Sequence, residues 1–125
     1  MPLSVGIGLA TARHAVCFVG DGGSLFSIHA VWAAARNRIP SIFICFVNHE
    51  YRLLKDMWCN AMGTTLQTMH FVRLDFGDPD VDVLKVAKGL GARCGRIDNL
   101  ASIAEVLTQA LAHAGPSFIA IDREP

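Results

Sequence analysis

No sign of charge dominates this chain. Its 125 residues include eleven basic and eleven acidic side chains, and no basic stripe or run of like charges marks a nucleic-acid or anionic-membrane surface. No pair among Cys17, Cys45, Cys59 and Cys94 has the C-x-x-C spacing of a zinc or redox site. Cys17 and Cys45 fall inside apolar runs, where free cysteine behaves as a small hydrophobe. All four read as reduced and structural, as in a cytoplasmic protein. No stretch approaches the ~20 apolar residues that span a bilayer. The apolar start from Met1 to Ala12 is glycine-rich and lacks the basic leader of a signal peptide. A soluble chain without nucleic-acid or membrane partners is expected.

What is present is apolar material in alternating blocks. Hydrophobic residues make up 52% of the chain, enough for one domain with a real core and far from disordered compositions. His14–Val19 reads as a β-rich run that ends at Gly20-Asp21-Gly22-Gly23. Ser24–Arg36 follows without glycine or proline and reads as one buried helix, with Phe26 and Trp32 in the core. Ser41–Val47 is a continuous apolar run, typical of a central strand in a parallel sheet covered on both faces, and Phe43 is assigned to the core with it. Arg52–Cys59 is read as a short helix and Ala61–Thr68 as loop. Asp78 and Pro79 are expected to start the next helix, with Val83, Leu84, Ala87 and Leu90 inward and Gly91 at its end. Arg93–Ile97 reads as a strand. Asp98 or Asn99 caps a last helix carrying Ile103, Val106, Leu107, Ala110 and Leu111, and Ser117–Ile121 is the final strand. Strands alternating with helices predict an α/β fold, a parallel sheet flanked by helices.

In such sheets ligands sit beyond the carboxyl ends of the strands. Two of those ends are unusual here. The first leads through Gly20-Asp21-Gly22-Gly23-Ser24 into a helix; the second leads into Asn48-His49-Glu50-Tyr51. Glycines let backbone N–H groups approach a ligand, and a helix N-terminus suits phosphate. Asp21 would repel phosphate unless a divalent cation lay between them. Magnesium takes oxygen ligands and uses substrate phosphates. Asp21 offers a carboxylate oxygen, Asn48 an amide oxygen and the turn near Glu50 a carbonyl. The plain alternative for the first loop is a tight turn with Asp21 as a helix cap. A dinucleotide fingerprint is a poor match, because Leu25 stands where the third glycine belongs, and no Gly-Lys-Ser/Thr follows to make a P-loop.

Taken together, Gly-Asp-Gly followed by a helix, a strand and Asn48 resembles thiamine diphosphate (ThDP) enzymes of the benzoylformate decarboxylase and acetolactate synthase group. The resemblance continues through Pro2–Ala10, similar to the helix before the motif strand, through Ser27–Ala35, Asn37-Arg38-Ile39-Pro40, Asp98-Asn99-Leu100 and Gly115-Pro116. It implies a Rossmann-like ThDP-binding fold. It implies Mg2+ on the side chains of Asp21 and Asn48 and on the Glu50 carbonyl, and diphosphate on Gly22, Gly23 and Ser24. Tyr51 and Leu54 are expected to line the approach to the cofactor. Three departures stand out: Val47 where many relatives have a first asparagine, His49 in place of the usual glycine, and the negative side chain of Glu50.

The resemblance also implies what lies elsewhere. The glutamate that activates the cofactor belongs to a separate pyrimidine-binding domain, so the catalytic residues are expected outside this chain. The chain is expected to be a partial ThDP-binding domain, truncated at its N-terminal side, with the pyrimidine-binding and central domains absent. It would act on a 2-oxo acid only as part of a homo-oligomer or beside a pyrimidine-domain chain, and alone would bind the cofactor weakly or not at all and turn nothing over. The rival expectations are a non-catalytic ThDP-binding or partner-binding module, one subunit of a split enzyme, and a nucleotide-binding α/β domain. His29 and His49 are assigned no chemical step, and His70 and Asp75 read as ordinary loop residues.

Overall fold

A computed structural model describes residues 1–122. Four strands, β1 (Ala15–Gly20), β2 (Ser41–Val47), β3 (Arg93–Ile97) and β4 (Ser117–Asp122), form one sheet in the order β1-β2-β4-β3. All three pairings are parallel. Helices α1 (Pro2–Thr11), α2 (Asp21–Leu25), α3 (Ala30–Arg36), α4 (Arg52–Met62), α5 (Val83–Gly89) and α6 (Ile103–Leu111) connect and cover it. The parallel sheet flanked by helices is the predicted fold class. No helix among the described residues is long and apolar enough to cross a membrane.

The apolar runs explain the layers. Alternate residues of β2 and β4 point to opposite faces. Phe43, Cys45, Val47, Phe118 and Ala120 face a core closed by Val31 and Ala34 of α3 and Val83 and Ala87 of α5. Ile42, Ile44, Ile97 and Ile119 face the other side, where Val106, Leu107 and Ala110 of α6 pack. Phe43 and Phe118 have no exposed surface; burying each such side chain is worth about 1.5–3 kcal/mol. The coverage is uneven. At the β1 side of the α6 face, Phe18 and Phe46 stack on one another with ring centroids 6.3 Å apart, yet they are 67% and 43% exposed.

Several elements differ from the sequence expectation. The single helix 24–36 is two helices. Through residues 27–31 the backbone tightens to bonds from N–H to the third carbonyl back, from Ser27 to Ser24, Ala30 to Ser27 and Val31 to Ile28, and no glycine or proline signals that change. Phe26 and Trp32 are 77% and 52% exposed and not core: Phe26 falls just past the end of α2, and α3 turns its small residues Ala30, Val31 and Ala34, not Trp32, toward the sheet. The helix expected from Asp78 starts at Val83. Asp82 caps it by accepting from the Lys85 N–H, while Asp78-Pro79 is a cis peptide in the turn before it. Helix α4 runs three residues beyond Cys59 and so includes Ala61 and Met62. It stops at Gly63, whose φ of +63° favours glycine. Gly91 follows the end of α5 in a left-handed conformation, as expected. Asn99, the second of the two residues proposed as caps, accepts from the Ser102 N–H ahead of α6.

Candidate functional site

Strands β1 and β2 are neighbours in register, with Gly20 beside Phe46, so their carboxyl ends deliver the two polar loops to one place. The loops are tied by a single side chain. Asp21 is 3% exposed. Its Oδ2 accepts the N–H groups of His49 at 2.7 Å and Asn48 at 3.1 Å, and its Oδ1 accepts the Gly22 N–H at 2.8 Å. Bonds to a charged acceptor are the stronger kind. A lone buried carboxylate would be costly; three amides make this one tolerable. The carboxylate is therefore not a plain cap on its own helix. It joins the first loop to the second.

The cavity between the loops holds about 400 Å³ and is lined by Asp21, Gly22, Gly23, Asn48, Glu50 and Tyr51, with Phe26 and Leu54 nearby. Six of the seven residues singled out in the sequence thus meet in one hollow. Ser24 does not. It is fully buried behind the wall, where its hydroxyl donates to the Asp21 carbonyl at 2.7 Å. The short α2 also matters: five residues carry far less aligned dipole than the long helix expected from the sequence. What the first loop offers an anion is backbone N–H groups, with little help from a helix field.

Gly22 is demanded by its neighbours. A Cβ there would lie 2.8 Å from the Tyr51 ring and 3.0 Å from the Phe76 ring. Those rings meet edge to face, 4.7 Å between centroids, and lean on the glycine loop. The second loop is fixed from outside itself. The Tyr51 N–H donates to the Leu74 carbonyl and the Phe76 N–H to the His49 carbonyl, both at 2.8 Å, making an isolated antiparallel bridge between Glu50 and Asp75. The carboxylate of Glu50 accepts from Lys55 and Arg52. Lys55 also donates to Asp75 and is only 7% exposed. Its pKa reflects a contest: burial lowers it, and the hydrogen bonds it donates to Asp75 and Glu50, with their negative charges, outweigh burial and raise it above the ordinary lysine value. Asp75, read from the sequence as an ordinary loop residue, and Lys55, not singled out at all, are both part of the site's frame. His49 has φ of +54° and an imidazole paired with Asp80 at 3.0 Å; it does not line the cavity.

The donor set suits magnesium. An ionised carboxylate has about four acceptor positions; amides take three of Asp21's and leave one for a cation. The Asn48 Oδ1 takes one weak bond from the Glu50 N–H at 3.3 Å. Among the described residues no hydrogen bond ends on the Glu50 carbonyl. No group of three His, Cys, Asp or Glu side chains able to hold a metal occurs among the described residues; an ion here would draw on one carboxylate, neutral oxygens and a ligand's phosphates, which is how magnesium is usually held. Behind the site, burial pushes the Cys45 thiol up to about 12, with the nearby Asp21 charge adding to the effect. All four cysteines are free. A second, larger hollow of about 640 Å³ adjoins the first at Leu54 and is lined mainly by Met57, Trp58, Met69, Phe71 and Leu74. It lacks converging polar groups, so the chemistry is assigned to the smaller one.

Residues 1–121 match the family described as thiamine pyrophosphate enzyme, C-terminal TPP binding domain. The chain is 30% identical over 122 residues to a benzoylformate decarboxylase of Pseudomonas aeruginosa, covering 97% of this chain and 22% of that protein. It is 28% identical over 120 residues to an acetolactate synthase of Bacillus subtilis, covering 95% of this chain and 20% of that one. Among solved structures, a thiamine diphosphate-dependent 4-hydroxybenzoylformate decarboxylase of Rhodococcus jostii superposes with a TM-score of 0.85 at 27% identity, over 99% of this chain and 22% of that one. The chain therefore spans about a fifth of the length of these relatives.

Proposed function

This chain belongs to the family of C-terminal TPP binding domains of thiamine pyrophosphate enzymes, and from that membership we propose that it supplies the magnesium and diphosphate half of a thiamine diphosphate site in a 2-oxo acid decarboxylase or carboligase. The observation that carries this reading is the meeting of Asp21, Gly22, Gly23, Asn48, Glu50 and Tyr51 around one cavity at adjacent strand ends. Asp21, the Asn48 amide oxygen and the Glu50 carbonyl would hold Mg2+. The Gly23 N–H and the open backbone at Gly22 would take the diphosphate, while Ser24, expected from the sequence to join them, braces the loop from behind through the Asp21 carbonyl. Bound thiamine diphosphate supplies a group that takes up negative charge when a carbon–carbon bond beside a carbonyl is broken or made. The residues of this chain bind and orient; Tyr51 and Leu54 line the way in. The pyrimidine end of the cofactor, and the acid that activates it, fall to another domain or subunit. The exposed Phe18 and Phe46 are an apolar face that such an assembly would cover.

Calorimetric titration with thiamine diphosphate, with and without Mg2+ and against NAD, of the full chain alone and beside a pyrimidine-domain partner, where binding is expected to be stronger, tests the reading. Binding that requires Mg2+ and excludes NAD is the expected result. Asp21→Ala and Asn48→Ala are each expected to weaken it by at least the roughly 10–100-fold that changes around a bound metal cost. Undiminished binding in both variants would refute the site, and preference for NAD would move the chain to the nucleotide-binding class.

A further inference from the structure

Glu50 and Asp75 form the central pair of a two-strand bridge whose hydrogen bonds run through their neighbours, from Tyr51 to Leu74 and from Phe76 to His49. In an antiparallel pair of this kind the two side chains lie closest together. Like charges directly opposite one another are destabilising. Here both are carboxylates, on the flank of a cavity read as taking an anionic diphosphate. One cation touches both: the Lys55 ammonium, from the first turn of α4.

We propose that Lys55 is the positioning residue of the second loop, bridging Glu50 and Asp75 so that the backbone of Asn48–Tyr51 is held for Mg2+ and the Glu50 carboxylate is kept from competing with the diphosphate. This rests on the cofactor reading above. Among the described residues the Lys55 ammonium has no other ion-pair or hydrogen-bond partner, and Nζ also lies 5.8 Å from the centroid of the Phe71 ring. Lysine is seldom buried unless paired. Arg52 cannot replace it. Its guanidinium reaches Glu50 and Asp56, which leaves Asp75 unpaired. Without Lys55 the two carboxylates repel, the bridge opens, and Tyr51 and Phe76 lose the contact that seats their rings on Gly22. Lys55 and Glu50 are largely buried while the Asp75 side chain is 61% exposed, so the effect falls mainly on Glu50: removing one partner of a buried pair harms far more than removing both. Neutralising the two carboxylates should therefore undo the loss of the lysine.

The test is Lys55→Met, alone and combined with Glu50→Gln and Asp75→Asn, with Lys55→Arg as the conservative variant. Two quantities are read: amide hydrogen exchange at Tyr51 and Phe76 in the chain without cofactor, and the dissociation constant for thiamine diphosphate with Mg2+. Lys55→Met is expected to speed exchange at both amides and to weaken binding, each by about tenfold or more. The triple variant, which keeps every backbone group, is expected to recover most of both losses, and Lys55→Arg to show little of either. Wild-type exchange and binding in Lys55→Met, or a triple variant as impaired as the single one, would overturn the proposal. Should the wild-type chain bind no cofactor even beside a pyrimidine-domain partner, the cofactor reading falls while exchange at the two amides still decides the role of Lys55. Should Lys55→Met fail to fold, folding of the triple variant supports the proposal and its failure to fold overturns it.

Discussion

The two loops of the candidate site lie side by side but are held in opposite ways. Gly20–Ser24 holds itself. Its bonds run from the Gly22 N–H to Asp21 and from the Ser24 hydroxyl to the Asp21 carbonyl, and its shape depends on a missing side chain at Gly22. Asn48–Tyr51 is held by others: Asp21 from the first loop, Lys55 from α4, and Leu74 and Phe76 from the segment after it. A loop that holds itself is sensitive to what is added to it. A loop held from outside is sensitive to what is removed from its supports. The charge tying them together, Asp21, belongs to both descriptions, which is why its loss is expected to act on the pair as a unit.

The most damaging single addition tests the first half of that contrast. Gly22→Ala places a Cβ 2.8 Å from the Tyr51 ring and 3.0 Å from the Phe76 ring, closer than real Cβ contacts. The two rings meet edge to face, 4.7 Å between centroids, so stepping aside costs that contact. Overpacking of this kind costs about 1–3 kcal/mol. Urea denaturation should show a loss of about 2 kcal/mol, and thiamine diphosphate affinity should fall with it. Gly23→Ala makes the control, since its Cβ would meet only Val19 at 3.6 Å, an ordinary contact. Equal losses in the two variants would mean that the first loop is sensitive to any side chain, and the close approach of Tyr51 would explain nothing.

The same contrast governs what could be read from the sequence. The residues of the first loop were legible because its glycines and acid follow directly on a strand, but the Tyr51 and Phe76 rings against Gly22 and the amides on Asp21 come from far along the chain. The parallel sheet was legible for a similar reason, since continuous apolar runs such as Ser41–Val47 have few other uses. Asn48 and Glu50 were found by spacing and resemblance, but not what holds them. Lys55 looks like any polar residue of a helix until its two partners, one of them twenty positions away, are placed in space. Asp75 and Phe76 sit in a stretch without periodicity. The split between α2 and α3 was hidden because alanine-rich sequence reads as helix whether or not the backbone tightens midway. Phe26 and Trp32 were assigned to the core because an all-round apolar helix does not reveal which side faces the sheet.

A milder effect separates buried from exposed carboxylates that do the same job. Asp82, like Asp21, accepts a backbone N–H, that of Lys85 at 3.0 Å, but its side chain is 37% exposed and it lies outside both loops. The Lys85 N–H is the main reason its pKa is held below the ordinary value. A carboxyl whose folded-state pKa is depressed adds stability that is complete above its unfolded pKa of about 3.9 and is lost as pH falls through the lower folded value. Asp82→Ala should therefore cost about 1 kcal/mol at neutral pH and progressively less in acid below that point. Its effect on cofactor affinity should be negligible. Denaturation at pH 7 and near pH 3 checks the first statement and titration with thiamine diphosphate the second. A loss of affinity as large as that of Asp21→Ala would mean that the second loop draws support from α5 as well.

The smallest expected difference concerns a residue of the second loop where the backbone itself sets the requirement. His49 has φ of +54°, a left-handed conformation that costs most side-chain-bearing residues about 1–2 kcal/mol and glycine nothing of that kind. The backbone here is one that glycine adopts at no steric cost, so histidine occupies a glycine-shaped position. Its imidazole recovers part of the cost by pairing with Asp80 at 3.0 Å, an exposed contact worth less than about 1 kcal/mol. His49→Gly and His49→Ala both lose that contact, so the difference between them isolates the backbone. His49→Ala should be the less stable by about 0.5–1 kcal/mol, read from urea midpoints, with His49→Gly close to wild type. The order also bears on Asp21, because the His49 N–H is its shortest bond to the second loop: if alanine pulled φ negative, that N–H would swing away and the carboxylate would lose a partner. An alanine variant as stable as the glycine one would show that position 49 tolerates another backbone shape, and that Lys55, Leu74 and Phe76 can hold the second loop without a left-handed residue in it.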